Sequence, residues 1–264
     1  MLSYDLITDW EWIGELPGNY GWFHLVWLII MFLACFASVY FLARKHNNKV
    51  DDIFVFSLGS FLVLIELYKQ IFFAVLNEGY DWSVFPFQLC SMPIYVAFIA
   101  PLIKNEKIKD GMYRFLASFC LLAGTFVMLY PNTCLNTPYV TMLIHTMVWH
   151  STMVVIGVYL IFAKNYGKNL KELIIPSFMF AIFSSIAVGL NCLFYLNNKD
   201  VYFNMFYLSP YYYTPIEILT EIKDSLGIGV YFFIYVLGIC VICSLVWLLI
   251  IGLRKLLNKN KSLV

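Results

Sequence analysis

An all-α bundle of seven membrane-spanning helices is what this sequence predicts, on three observations. Hydrophobic residues make up 62% of the 264 and charged residues only 12%, with a mean hydropathy of +0.79. A water-soluble domain carries about 25% charged residues, so this much apolar surface has nowhere to go except lipid. Seven apolar runs have the length of a bilayer crossing, and lysine and arginine alternate from one side of them to the other.

The runs lie at about 21–42, 53–76, 84–103, 112–130, 139–163, 173–196 and 228–253. The connections after the first, third and fifth hold Arg44, Lys45, Lys49, Lys104, Lys107, Lys109, Lys164, Lys168 and Lys171, and the tail holds Arg254, Lys255, Lys259 and Lys261. The opposite connections hold only Lys199 and Lys223. Positive charge stays in the cytoplasm, which predicts the N-terminus outside and the C-terminus inside a cell membrane. The first 20 residues carry Asp5, Asp9, Glu11 and Glu15 but no lysine or arginine, so no cleavable leader is expected. Tyr4, Trp10, Trp12, Tyr20 and Trp22 suit an interfacial aromatic belt. The net charge of +1 says nothing about nucleic acid, but no basic block resembles a nucleic-acid footprint, and no such partner is expected. There is no repeat, P-loop, dinucleotide glycine motif or zinc-type spacing, and the chain reads as one domain with no metal and no cofactor. Six of the seven cysteines lie in apolar runs, and Cys240-x-x-Cys243 falls inside a span, where both read as packing residues.

One connection, 197–227, is long. Its second half predicts an amphipathic helix at the outer interface: Thr214 as N-cap, Pro215 first, Glu217 three after the cap and Gly227 at the end. Ile216, Leu219, Ile222 and Leu226 share one face, with Glu217, Thr220, Glu221, Lys223 and Asp224 mostly opposite. Its first half, including Asn204, Phe206, Tyr207 and Pro210, is too aromatic for a free loop and is expected to act as a lid over the outer end of the bundle.

Polar groups inside spans are costly and therefore candidates for function. Run two carries Glu66, Lys69 and Gln70. Glu66 and Lys69 stand three apart, on one helical face, where they can pair. Cys90 lies in run three behind Gln88, His145 and His150 in run five, Asn191 in run six and His24 in run one. Counted at 1.5 Å per residue, all fall in the outer half of the membrane, which predicts one polar cavity. A helix starting near residues 83–86 would put Cys90 in its second turn, near the positive dipole end, with Pro93 kinking the span beyond it. A thiol and an imidazole are the minimal pair for nucleophilic acyl transfer, with Gln88, Asn191 or Lys69 available to an oxyanion. Each group also has a structural reading: Cys90 as a small packing residue, Glu66 with Lys69 as a buried tie between helices, and His145 and His24 as satisfied core histidines.

At these residues the chain resembles a known group. Gly21-Trp22-Phe23-His24-Leu25, Glu66-Leu67-Tyr68-Lys69-Gln70, Phe87-Gln88-Leu89-Cys90, Trp149-His150-Ser151 with Gly157 and Tyr159, and Asn204-Met205-Phe206-Tyr207-Leu208-Ser209-Pro210 are similar to stretches of the YwaF-type integral membrane proteins. The same stretches resemble their eukaryotic relatives, multi-pass acyltransferases acting on ether lysophospholipids. That resemblance implies a catalytic cysteine in the third span, matched by Cys90, and a histidine two spans later, matched by His150. Gln88 stands where many members of the group have histidine. The expectation is a coenzyme-A-independent phospholipid acyltransferase with membrane phospholipids as donor and acceptor. The rivals are a transporter or solute-binding protein built on Glu66 and Lys69, and a lipid hydrolase using the same Cys90 and His150.

Overall fold

Asparagine, proline and glycine decide where the helices of this chain start and stop, and the apolar runs decide how far they reach. The computed structural model describes residues 10–131, 134–214 and 217–261, and among them the regular structure is helical, with one isolated bridge between Glu11 and Tyr139 and irregular loops between the helices. Helix α1 is Trp22–Ala37, α2 Asn48–Leu76, α3 Met92–Ile99, α4 Glu106–Phe115, α5 Leu121–Leu129, α6 Val140–Ala163, α7 Ile174–Asn197 and α8 Glu217–Lys261. Asn47 and Asn105 cap α2 and α4 with their side-chain oxygens, accepting from Val50 N–H and from Lys107 and Ile108 N–H. Five helical stretches among the described residues are long and apolar enough to cross a membrane: Trp22–Lys45, Glu106–Leu129, Val140–Ala163, Leu170–Asn197 and Leu219–Leu256.

Two of the seven expected spans differ. Helix α2 has 29 residues, ample length, but its first turns carry Asp51 and Asp52 and its later turns Glu66 and Lys69. The stretch expected to span 84–103 is a short apolar helix, Leu89–Leu102, about 21 Å long at 1.5 Å per residue and too short for a ~30 Å hydrocarbon core. Its prolines explain this. Pro93 sits in the first turn and opens α3 rather than kinking it, and Pro101 lies in the 3₁₀ turn Ala100–Leu102 that closes it. Ser91 is the N-cap of α3, so Cys90 lies in the 3₁₀ turn Leu89–Ser91 just ahead of the helix, not in its second turn.

The helices group into two compact units, 1–81 with 90–166 and 82–89 with 167–264. In the first, α6 is the central helix: 72% of its apolar window is buried, against 11% for Trp22–Lys45. The remaining face of α1, with Leu25, Ile29, Phe32, Leu33 and Phe36, is exposed, as a lipid-facing helix requires. Three glycines let backbones touch. A Cβ on Gly59 would lie 2.7 Å from the Ala97 carbonyl carbon, one on Gly124 3.0 Å from the His150 carbonyl oxygen and one on Gly157 2.6 Å from Leu121 Cβ. These contacts set α2 against α3 and α5 against α6.

The basic end of this unit holds a polar network. Tyr159 donates to the fully buried Asp51 at 2.6 Å, and Lys164 forms an ion pair with its other oxygen at 2.9 Å. Lys109 and Tyr113 donate to Asp52 at 2.8 and 2.5 Å, and Arg114 and Tyr166 bond Asp110 at 2.8 and 2.6 Å. Burial and the bond to Asp110 raise the Tyr166 phenol above its usual range. This network explains why α4 begins at Glu106 rather than near 112: its charged first turns are anchored, not loop.

In the second unit, α8 breaks at Gly227, whose φ of +78° few other residues adopt. The segment before the break is the expected short helix, although Pro215 and Ile216, and Tyr4 of the aromatic belt, lie outside the described residues. Its orientation departs from expectation. Lys223, assigned to the polar face, is its buried residue, donating to the Tyr212 carbonyl at 2.5 Å beneath the Tyr213 ring, whereas Leu226 is 56% exposed. The helix therefore turns its cation to the protein and keeps apolar Leu226 outside.

Candidate functional site

Within the first unit, the face of α2 built from residues 65, 66 and 69 meets α3 and α6. Glu66 and Lys69 form the expected ion pair at 2.8 Å, and Gln70 donates to the same Glu66 oxygen, Oε1, at 2.6 Å. Oε2 of Glu66, in a side chain only 6% exposed, has no hydrogen-bond partner among the described residues. The Lys69 ammonium stands 5.9 Å from the centre of the Trp149 ring, and the His145 ring stacks on the same indole at 5.4 Å. The indole N–H of Trp149 donates to the Cys90 carbonyl at 2.9 Å. This bond fixes the turn that carries the thiol to the central helix.

Cys90 is half-buried, and none of the seven cysteines forms a disulfide. Lys69, Glu66 and Cys134 act on it electrostatically, and Lys69 also acts on both His145 and His150. Lys69 is thus the charge shared by the thiol and both imidazoles. Among the described contacts, no hydrogen bond joins the Cys90 thiol to either imidazole. Nδ1 of His150 faces the Thr146 carbonyl at 2.8 Å. A carbonyl only accepts, so Nδ1 carries the proton and Nε2 the lone pair. His145 has the same tautomer: Ile65's backbone accepts from its ring, and Nε2 is the nitrogen without a partner.

The other expected site residues are used differently. His24 is fully buried and satisfied, accepting from Tyr20 N–H at Nδ1 and donating from Nε2 to the Met128 carbonyl at 2.7 Å, so it ties α1 to α5. In the second unit, Gln88 donates to the Asn204 carbonyl and accepts from Phe206 N–H, at 2.8 and 2.6 Å. Asn191 makes the same two-way contact with the Met205 backbone, at 3.0 and 2.7 Å. Both amides, expected at an oxyanion, are bound to a loop whose Phe206 and Tyr207 adopt φ of +56°. Asn204 completes the clamp by accepting from Ser209 N–H and donating to the Tyr213 carbonyl. Two amides hold a conformation that costs bulky residues about 1–2 kcal/mol each. Phe203 stacks on Phe194 at 4.3 Å, so the aromatic loop is packed, and Pro210 lies half-buried at its end.

Sequence reasoning did not find Trp149's role, although its position four residues after His145 puts both on one face. It also passed over Asp51 and Asp52, which stand just ahead of the run expected at 53–76. No group of three or more metal-binding side chains occurs among the described residues.

A family model described as the TMEM164 family matches residues 19–251. The chain belongs to the TMEM164 family. No curated protein and no solved structure matches it. The match takes in α1 to α7, most of α8 and all the candidate residues above, and together with the five apolar helices it makes this TMEM164-family chain a multi-pass membrane protein.

Proposed function

We propose that this TMEM164-family protein is a membrane-embedded, coenzyme-A-independent acyltransferase that remodels phospholipids through a thioester on Cys90. The observation that carries the reading is the setting of Cys90: a thiol in a tight turn pinned by Trp149 to the central helix, under the charge of Lys69, an ammonium that also acts on His145 and His150. The likeness to the YwaF-type proteins and the ether-lysophospholipid acyltransferases supports the same assignment.

In the first half-reaction, His150 Nε2 takes the thiol proton and the sulfur attacks the ester carbonyl of a phospholipid. Lys69 stabilises the oxyanion; the carbon–oxygen bond breaks, and His150 returns its proton to the leaving alkoxide, giving a lysophospholipid and an acyl thioester. In the second, the hydroxyl of another lysophospholipid attacks the thioester, the carbon–sulfur bond breaks and the thiol is restored. Glu66 holds Lys69 in place, and Asn204, Phe206, Tyr207 and Pro210 are assigned to the admission of acyl chains. The charge pattern orients the protein with its N-terminus outside the cell.

The test is transfer of a labelled acyl chain from a diacyl phospholipid to a lysophospholipid by the purified protein in nanodiscs. Cys90→Ala should abolish transfer and His150→Gln should reduce it at least about 100-fold, the usual weight of a general base. Full transfer by Cys90→Ala would remove the reading, and release of free fatty acid in place of transfer would make the protein a hydrolase.

A further inference from the structure

Cys134 is the one cysteine outside the apolar runs, in the connection 130–139 between α5 and α6, and the cycle above leaves it unused. Helix register brings that connection to the end of the first unit that holds the thiol. Phe56 stacks on Phe98 at 5.1 Å and Gly59 meets Ala97, so α3 runs back along α2. Glu66 and Cys90 each stand seven residues from the second contact, which makes them level. Along α6 the partners of α2 descend in the same way: Asp51 with Tyr159, Ile65 with His145, and Phe72 with Tyr139, whose rings lie 5.1 Å apart. Tyr139 ends the connection at a level six residues, about 9 Å, beyond Glu66 and Cys90.

From there the connection folds back onto the bundle. The N–H groups of Cys134 and Leu135 both donate to the Pro131 carbonyl, at 2.8 and 3.2 Å, and Leu135 is buried. Cys134 itself is half-buried, like Cys90. It acts electrostatically on the Cys90 thiol more strongly than Glu66 does. A disulfide needs Cα atoms within about 7 Å, and the small movement that closes one is open to a residue in a connection and closed to one inside a packed helix. In the orientation given by the charge pattern this end faces the outside of the cell, where disulfides persist.

We infer that Cys90 and Cys134 form a reversible disulfide that switches the protein off, with a low-molecular-weight disulfide of the glutathione class as oxidant. The Cys134 thiolate attacks one sulfur of glutathione disulfide; that S–S bond breaks, a mixed disulfide forms and one glutathione thiolate leaves. The Cys90 thiolate then attacks the Cys134 sulfur, the mixed disulfide breaks and the second glutathione leaves. The two cysteines lose two electrons and two protons, and glutathione disulfide gains them as two thiols. With its sulfur in a disulfide, Cys90 has no thiolate to attack an ester, and reduction restores it. The loss of activity rests on the acyltransferase reading; the formation of the bond does not.

The experiment incubates the full chain in nanodiscs with glutathione disulfide and follows two readouts, unreduced peptide mapping by mass spectrometry and acyl transfer. Wild-type protein should yield a Cys90–Cys134 linked peptide, with residual transfer equal to the fraction left unlinked, and dithiothreitol should restore the rate. Cys134→Ser should transfer at the wild-type rate in reductant and keep that rate in glutathione disulfide. Wild-type protein that stays unlinked, or that links Cys90 to a different cysteine, would overturn the switch and leave the acyltransferase reading standing. Equal inactivation of Cys134→Ser by the oxidant would also overturn it. A linked peptide in protein that never transfers an acyl chain, even when reduced, would instead remove the acyltransferase reading and keep the cysteine pair. The wild-type mapping decides without any variant, should Cys134→Ser not fold.

Discussion

Replacing Gly59 by alanine tests whether the contact of α2 with α3 places the thiol. A Cβ there would sit 2.7 Å from both the Ala97 carbonyl carbon and the Phe98 nitrogen and 2.9 Å from the Ala97 oxygen. All three are backbone atoms, so no side chain can swing away. To bring the closest contacts to 3.4 Å the helices must part by about 0.7 Å, an overpacking strain of about 1–3 kcal/mol. The separation acts on the helix that directly follows the turn holding Cys90, and the ion pair lies seven and ten residues along α2 from Gly59. Two readouts follow: the unfolding midpoint in detergent, and the rate at which a maleimide labels Cys90 in a variant lacking the other six cysteines. Gly59→Ala should lower the midpoint and change the labelling rate. Gly189→Ala and Gly238→Ala are the controls, since nothing lies within 4 Å of a Cβ at either position. Mid-helix alanine is favoured over glycine by up to about 1 kcal/mol, so the controls should be neutral or more stable. If Gly59→Ala behaves like the controls in both readouts, the close approach of α2 and α3 does not hold the site.

Other outcomes follow from the same contacts. Tyr159→Phe removes the 2.6 Å bond to buried Asp51 and should cost about 1–3 kcal/mol in denaturant unfolding, with Lys164→Met similar or worse because it strands the carboxylate. Gln88→Leu and Asn191→Leu unclamp the backbone of residues 204–206, so limited proteolysis should cut that loop faster in each variant than in the wild type. Gly227→Ala places a Cβ on a φ of +78° and should destabilise by about 1–2 kcal/mol despite the open space around it, seen as a lower midpoint.

The parts of the structure legible from sequence were those with one-dimensional signatures. Apolar runs marked the five long helices, three-residue spacing paired Glu66 with Lys69, and Gly227 ended the helix before the last span. Lys69 acts electrostatically on Cys90, His145 and His150. What stayed hidden depends on partners distant in the chain. Pro93 and Pro101 were visible, but whether a proline kinks a helix or bounds it depends on which residues around it go on packing. Gly59, Gly124 and Gly157 look like weak helix residues until a second backbone is set against them. Lys223 reads as polar-face because of its charge, yet the Tyr212 carbonyl and the Tyr213 ring draw it inward. Gln88 and Asn191 looked like oxyanion donors because an amide in an apolar run must bond something, and its partner proved to be a strained loop backbone.

The central claim, that Cys90 carries the acyl chain, is tested most directly by intact-protein mass spectrometry after brief incubation with a diacyl phospholipid and no acceptor. The account predicts a mass increase of one acyl group, mapped to Cys90, released by neutral hydroxylamine and missing in Cys90→Ala. An adduct that persists in Cys90→Ala, or wild-type protein that transfers acyl chains while its thiol stays unmodified, would contradict it.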